Sequence, residues 1–148
     1  MAANCTEEGD LRIRLDQINV RTRATGEFVE ITEQVDDAVR RSGVREGIAL
    51  VRSRHTTAAI TCNEPDPRLH ADMRDAVYGT FPLSEPYRHI EEGPENAVAH
   101  LATAMLFGEA TWVPVRDGRA DLGTWQHLYL VELYEARMRQ VDVAVLGE

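Results

Sequence analysis

Apolar and polar residues alternate early in the chain: Leu11, Ile13 and Leu15 stand against Arg12, Arg14 and Asp16. This period of two predicts a half-buried strand over residues 11–20. A second strand is expected within 21–30, ending at Phe28-Val29. The spacing then turns helical. Thr32 is placed to cap a helix, Val35, Ala38 and Val39 give it a buried face, and Arg40-Arg41 suit its negative end. Gly43 is the stop. Residues 47–62, rich in Val, Ile and Thr, read as one long strand or a bent pair. Asp66-Pro67 opens a second helix, with Leu69, Met73 and Val77 at four-residue spacing and Gly79 able to end it. Residues 81–96 hold three prolines and a glycine and read as a loop. Pro94 opens a third helix, apolar at Ala97, Leu101 and Ala104, which Gly108 stops. From Thr111 the pattern is β, with Asp117-Gly118 as a hairpin turn and strands over 125–134 and 138–146. The order β-β-α-β-α-α-β-β-β-β predicts an α+β fold. It is a largely antiparallel β-sandwich with about three helices, one domain over 11–148 behind a flexible 1–10.

Composition narrows the partners. A chain of 148 residues suits one domain. Its net charge of −9 repels nucleic acid and anionic lipid, so neither is an expected partner. Two cysteines, Cys5 and Cys62, make no disulfide framework and fit a reducing cytosol. Cys62 lies in an apolar stretch, where burial makes a thiol inert. The N-terminal stretch has no apolar signal region, and no apolar run approaches the ~20 residues of a membrane span, so the expectation is a cytoplasmic protein.

Candidate chemistry centres on three of the five histidines. Asn96, His100 and Thr103 share one face of the third helix, and Asn96 lies in its first turn, where free N–H groups welcome an anion. His89 sits in the loop feeding that helix and can fold back over its start. His55 begins a run in which His55 and Asn63 share a face. On one straight strand they stand about 26 Å apart. A site using both therefore needs a bent strand or a neighbouring subunit. Three imidazoles and a carboxylate would suit zinc or a similar divalent ion. The carboxylates Glu64, Asp66, Asp72, Glu92 and Glu95 could instead hold magnesium. Asp66 explains itself as a cap and Glu95 as a first-turn charge, which leaves Glu64 as the carboxylate candidate.

Gly123-Thr124 reads as a tight turn before an interior strand, with Trp125 in the core and Gln126 facing solvent unless it reads a ligand. Arg137 and Arg139 could grip phosphate, although exposed edge charge is the commoner role. His70, on a charged helix face, and His127, in a strand, need no functional role. Neither a nucleophile elbow nor a dinucleotide or phosphate-binding glycine loop is present, and no organic cofactor is expected.

The same residues carry a resemblance. His55-Thr56-Thr57-Ala58-Ala59, Asn63-Glu64 with Asp66, Asp72-Met73, Tyr87-Arg88-His89, Asn96-Ala97 with His100, and Leu122-Gly123-Thr124-Trp125-Gln126 occur in order. Together they resemble the YjbQ family, also labelled secondary thiamine-phosphate synthases, over roughly residues 11–147. The chain departs from the family pattern at Tyr134-Glu135-Ala136-Arg137, where a D-G-P-R-like turn is usual. The resemblance implies an α+β sandwich assembled as a homotrimer, with a site drawn from the matched residues and placed at a subunit boundary. It also implies transfer between a pyrimidine pyrophosphate and a thiazole phosphate, so the expected partner is a phosphorylated small molecule. Across the readings His55, Glu64, His89 and His100 are the catalytic candidates, and Asn63, Asn96, Thr124 and Gln126 the substrate contacts. A divalent metal, zinc or magnesium, held by His55, His89 and His100 suits a metal-dependent hydrolase or lyase better than the transfer. A metal-dependent hydrolase or lyase and a non-catalytic trimeric binder are the alternatives.

Overall fold

Two antiparallel sheets stacked face to face organise the chain. The structure is a computed structural model that describes residues 10–148. Cys5 and the rest of residues 1–9 of the expected flexible N-terminus lie outside the described residues. In chain order the elements are β1 (Arg12–Arg21), β2 (Phe28–Glu30), α1 (Thr32–Ser42), β3 (Gly47–Ser53), β4 (Ala58–Asn63), α2 (Pro67–Thr80) and α3 (Pro94–Ala102). A π-helical turn (Thr103–Phe107) follows, then β5 (Ala110–Arg116), β6 (Arg119–Ala120), β7 (His127–Glu132) and β8 (Met138–Gly147). One sheet has the order β1-β8-β3-β5-β6 and the other β2-β7-β4.

The alternation in β8 sends Val141, Val143 and Val145 inward. There they meet Ala49 and Val51 of β3, Val113 and Val115 of β5, and the α1 face formed by Val35, Ala38 and Val39. Ala58, Ile60, Leu128 and Leu130 close this core from the second sheet. The other face of that sheet, through Ala59, Val131 and Leu133, packs on Val77 of α2 and on Val98, Ala99 and Ala102 of α3. Strand β7 is therefore covered on both faces, which explains why it reads as a continuous apolar run rather than an alternating one.

Most boundaries agree with the pattern. Asp66 caps α2 by accepting the Arg68 N–H at 2.8 Å, and Gly43 ends α1 in the left-handed region. Asp117 and Gly118 both have positive φ in the β5–β6 turn. Residues 47–62 form the bent pair, broken at Arg54–Thr57.

Five expectations are corrected. Thr32 is the first residue of α1 rather than its cap, because its Oγ1 accepts the Leu128 N–H at 2.9 Å. Gly79 lies inside α2, which runs to Thr80. Leu11, Ile13 and Leu15 are not the buried face of β1. They point to solvent, Leu15 with 81% exposure, because Ile18 and Val20 take the inward positions of that strand. Trp125 is exposed rather than core. His70 is buried, stacked on Phe28 at 4.3 Å and edge-on to Tyr129, with Nε2 3.2 Å from the Glu64 carbonyl.

Candidate functional site

Gly93, with φ of 90°, lets the loop reverse into α3, and Pro94 starts the helix without needing an N–H partner. This reversal folds His89 back over the helix start. The His89 Nε2 lies 3.1 Å from Asn96 Oδ1, and the His89 and His100 rings meet edge-on, 5.0 Å between centroids at 84°. Asn96 is only 2% exposed, held between the loop and the helix interior. Glu91 places a carboxylate oxygen 3.7 Å from His89 Nδ1. Beside these rings is a cleft of about 540 Å³, lined by Pro86, Tyr87, Arg88, His89, Ala97, His100 and Leu101. Its walls are largely apolar, and its side-chain polar groups are a guanidinium, two imidazoles and the Tyr87 hydroxyl, which donates to the Pro82 carbonyl at 2.8 Å. That composition and size are usual for a small-molecule site.

His55 is not part of this cleft. It lines a smaller depression with Arg52, Ser53, Arg54, Thr56 and Glu109. Its Nε2 accepts the Gln140 N–H at 2.8 Å, so that nitrogen's lone pair is already in use. Burial first, and then the nearby Arg139 charge, push the His55 imidazole below its ordinary value of 6.5. The fold thus keeps His55 neutral, whereas the unfolded chain protonates it near 6.5. Stability is retained above that pH and falls as the solution is acidified through it. His55→Gln is expected to flatten the pH dependence of the unfolding midpoint as the solution is acidified below the ordinary imidazole value of about 6.5. An unchanged slope would show that the ring is free in the fold.

The remaining candidates are scattered. Asn63 and Glu64 are exposed at the end of β4, where Asn63 Oδ1 accepts the Glu64 N–H at 2.8 Å. Thr124 and Gln126 are exposed in the tight turn before β7, closed by the Gln126 N–H on the Gly123 carbonyl at 3.0 Å. The Gln126 Oε1 accepts the Gly123 N–H at 2.9 Å, so its acceptor is committed within the turn. Among the described residues no three His, Cys, Asp or Glu side chains converge as a metal set. His55, His89 and His100 therefore form no three-ligand centre within one described chain. Cys62 is half-buried, and burial raises its thiol. The Thr103 hydroxyl is buried with no hydrogen-bond partner among the described residues, at the point where α3 loosens into the π-helical turn.

The largest feature missed in sequence is a buried ion pair. Arg139, 1% exposed, donates through Nε to Glu132 Oε2 at 2.7 Å and through Nη2 to Glu132 Oε1. Its Nη2 also reaches Thr57 Oγ1 at 3.2 Å. Glu132, fully buried, further accepts the Thr22 hydroxyl at 2.7 Å and the Tyr134 N–H at 3.1 Å. The expectation of Arg139 as an edge charge or phosphate ligand is corrected, since its donors are turned inward. Glu132 closes the apolar run of β7. A carboxylate there, seven residues before an arginine in the next strand of the chain, which lies in the other sheet, was the available signal.

Known proteins resemble the chain over most of its length. The family model described as UPF0047 protein YjbQ-like matches residues 16–148. A UPF0047 protein of Methanothermobacter thermautotrophicus is 38% identical, covering 93% of this chain and 95% of its own. The UPF0047 protein YugU of Bacillus subtilis is 33% identical, covering 90% and 99%. A crystal structure of a YbjQ-like protein of unknown function from Sulfolobus solfataricus superposes with a TM-score of 0.85 at 36% identity, covering 93% of this chain and 99% of that one.

Proposed function

Since the chain belongs to the YjbQ-like UPF0047 family, we propose that the cleft over α3 binds a phosphorylated, ring-bearing small molecule. The reaction to test first is the thiamine-phosphate synthase-like transfer that the family resemblance implies. The observation that carries the reading is the cleft itself. Tyr87, Pro86 and Leu101 give walls for a ring, while Arg88, His89 and His100 supply cationic or polar groups. A guanidinium matches phosphate oxygens. Joining a pyrimidine pyrophosphate to a thiazole phosphate expels pyrophosphate and asks chiefly for charge stabilisation on the leaving group, with magnesium as the usual partner. Incubation with both substrates and magnesium should release pyrophosphate. His100→Ala should lower that rate about a hundredfold. Release that is absent, or unaffected by the substitution, would remove the transferase reading.

A metal-dependent hydrolase or lyase is favoured by one observation, the adjacency of the His89 and His100 rings. A divalent ion there would need its remaining positions filled by water, by the ligand's phosphate or by a second copy. Elemental analysis of untagged protein beside His100→Ala separates this reading from magnesium-assisted transfer. Stoichiometric metal lost in the variant supports it, and metal-free protein removes it.

Self-association as a homotrimer belongs to the same proposal. Leu15, Ala144, Leu50 and Trp112 lie side by side in one row across four strands, and Ile13, Leu146, Ile48 and Pro114 form the next. All eight are exposed or half-exposed. Contiguous apolar rows on a sheet face mark an association surface. Gln17, Asp142, Arg52 and Arg54 border the rows with a polar rim that approaches His55. Covering this face with a second copy would bring new side chains towards His55.

A further inference from the structure

We propose that Asn96 is a positioning residue that fixes the tautomer of His89, rather than a group that touches the ligand. The inference rests on the reading of the α3 cleft as the ligand site. Asn96 is nearly fully buried, and its Oδ1 faces His89 Nε2 at 3.1 Å. An amide oxygen only accepts, so the proton of the neutral imidazole resides on Nε2. Nδ1 is left as the lone pair of the ring. The edge-on packing of His100, 5.0 Å away, opposes rotation of the His89 ring about its own axis. A ring held at one nitrogen by a buried acceptor, with its other nitrogen free, is the arrangement by which proteins prepare an imidazole as a base or ligand.

The neighbourhood decides what Nδ1 receives. The Glu91 carboxylate oxygen stands 3.7 Å from it and also accepts the Ile90 N–H at 3.1 Å, so what faces Nδ1 is an acceptor and not a donor. The ligand group seated against Nδ1 is therefore a hydrogen-bond donor, such as an amino or hydroxyl group. Phosphate is directed instead to Arg88.

Nitrogen-15 spectroscopy of the imidazoles in the ligand-free protein tests this without any activity assay. It is read at a pH well above the ordinary imidazole value of about 6.5. The expected wild-type result is a His89 ring protonated on Nε2, with the resonance of an unprotonated nitrogen at Nδ1. Asn96→Asp, which keeps an acceptor oxygen, should preserve that pattern. Asn96→Leu, close in shape and suited to a buried position, should lose it and give a mixture of tautomers. A wild-type ring protonated on Nδ1 would overturn the proposal even if both variants fail to fold. So would a Leu variant that keeps the wild-type tautomer. A correct tautomer in a protein that binds no phosphorylated ligand would leave the role of Asn96 standing and remove the functional reading instead.

Discussion

Arg139→Met is expected to cost about 3–5 kcal/mol of folding stability, because it strands the Glu132 carboxylate in the core without its counter-charge. Every oxygen of that carboxylate is engaged in the native fold, by Arg139, by the Thr22 hydroxyl and by the Tyr134 N–H. The Thr22 hydroxyl and the Tyr134 N–H are neutral and do not replace the guanidinium charge. A domain of this size has a total stability of about 5–15 kcal/mol, so the single variant approaches unfolding. Its melting temperature should fall by about 10 °C or more. The double variant Arg139→Met with Glu132→Leu removes both charges together and should recover most of the loss, since well-packed apolar pairs often equal buried ion pairs. Denaturant unfolding of the wild type, the two single variants and the double variant gives the coupling directly. A loss below about 1 kcal/mol for Arg139→Met would mean that the pair is solvated, as exposed pairs are.

Leu15→Glu with Trp112→Glu is expected to convert the proposed trimer to monomer. These residues are 81% and 63% exposed in the single chain, yet they sit in one continuous row with Ala144 and Leu50. In a covered interface two carboxylates would be buried facing apolar partners without counter-charge, a loss large enough to abolish association. In the isolated chain the same positions face water, so the melting curve of the monomer should keep its cooperativity. Light scattering coupled to size exclusion reads the outcome. A wild-type monomer at every concentration would remove the assembly reading, as would a variant that remains trimeric.

Much of this architecture is legible in the chain because the relevant signals are local. Alternation in β8, the Asp66-Pro67 start of α2, the Gly43 stop and the Asp117-Gly118 turn each follow from adjacent residues and their backbone preferences. The meeting of His89 with the start of α3 was equally accessible, because only a short loop with Gly93 separates them. Signals that depend on a partner element were not. Periodicity shows that β1 has an apolar stripe without showing which side it faces, and the stripe of Ile13 and Leu15 faces outward. The burial of Arg139 on β8 needs Glu132 on β7 of the other sheet, and that of His70 on α2 needs Phe28 and Tyr129 from β2 and β7. The separation of His55 from the α3 cleft follows from the break between β3 and β4, where the chain passes from one sheet to the other.

Resonance mapping tests the α3 cleft most directly. Isotope-labelled protein is titrated with thiamine phosphate and, separately, with inorganic pyrophosphate, while backbone and imidazole signals are followed. Perturbations centred on Arg88, His89, Ala97, His100 and Leu101, saturable and abolished by His100→Ala, are the expected result. No saturable perturbation with either compound, or perturbation confined to the depression around Arg52, Arg54 and His55, would contradict the assignment of this cleft as the ligand site.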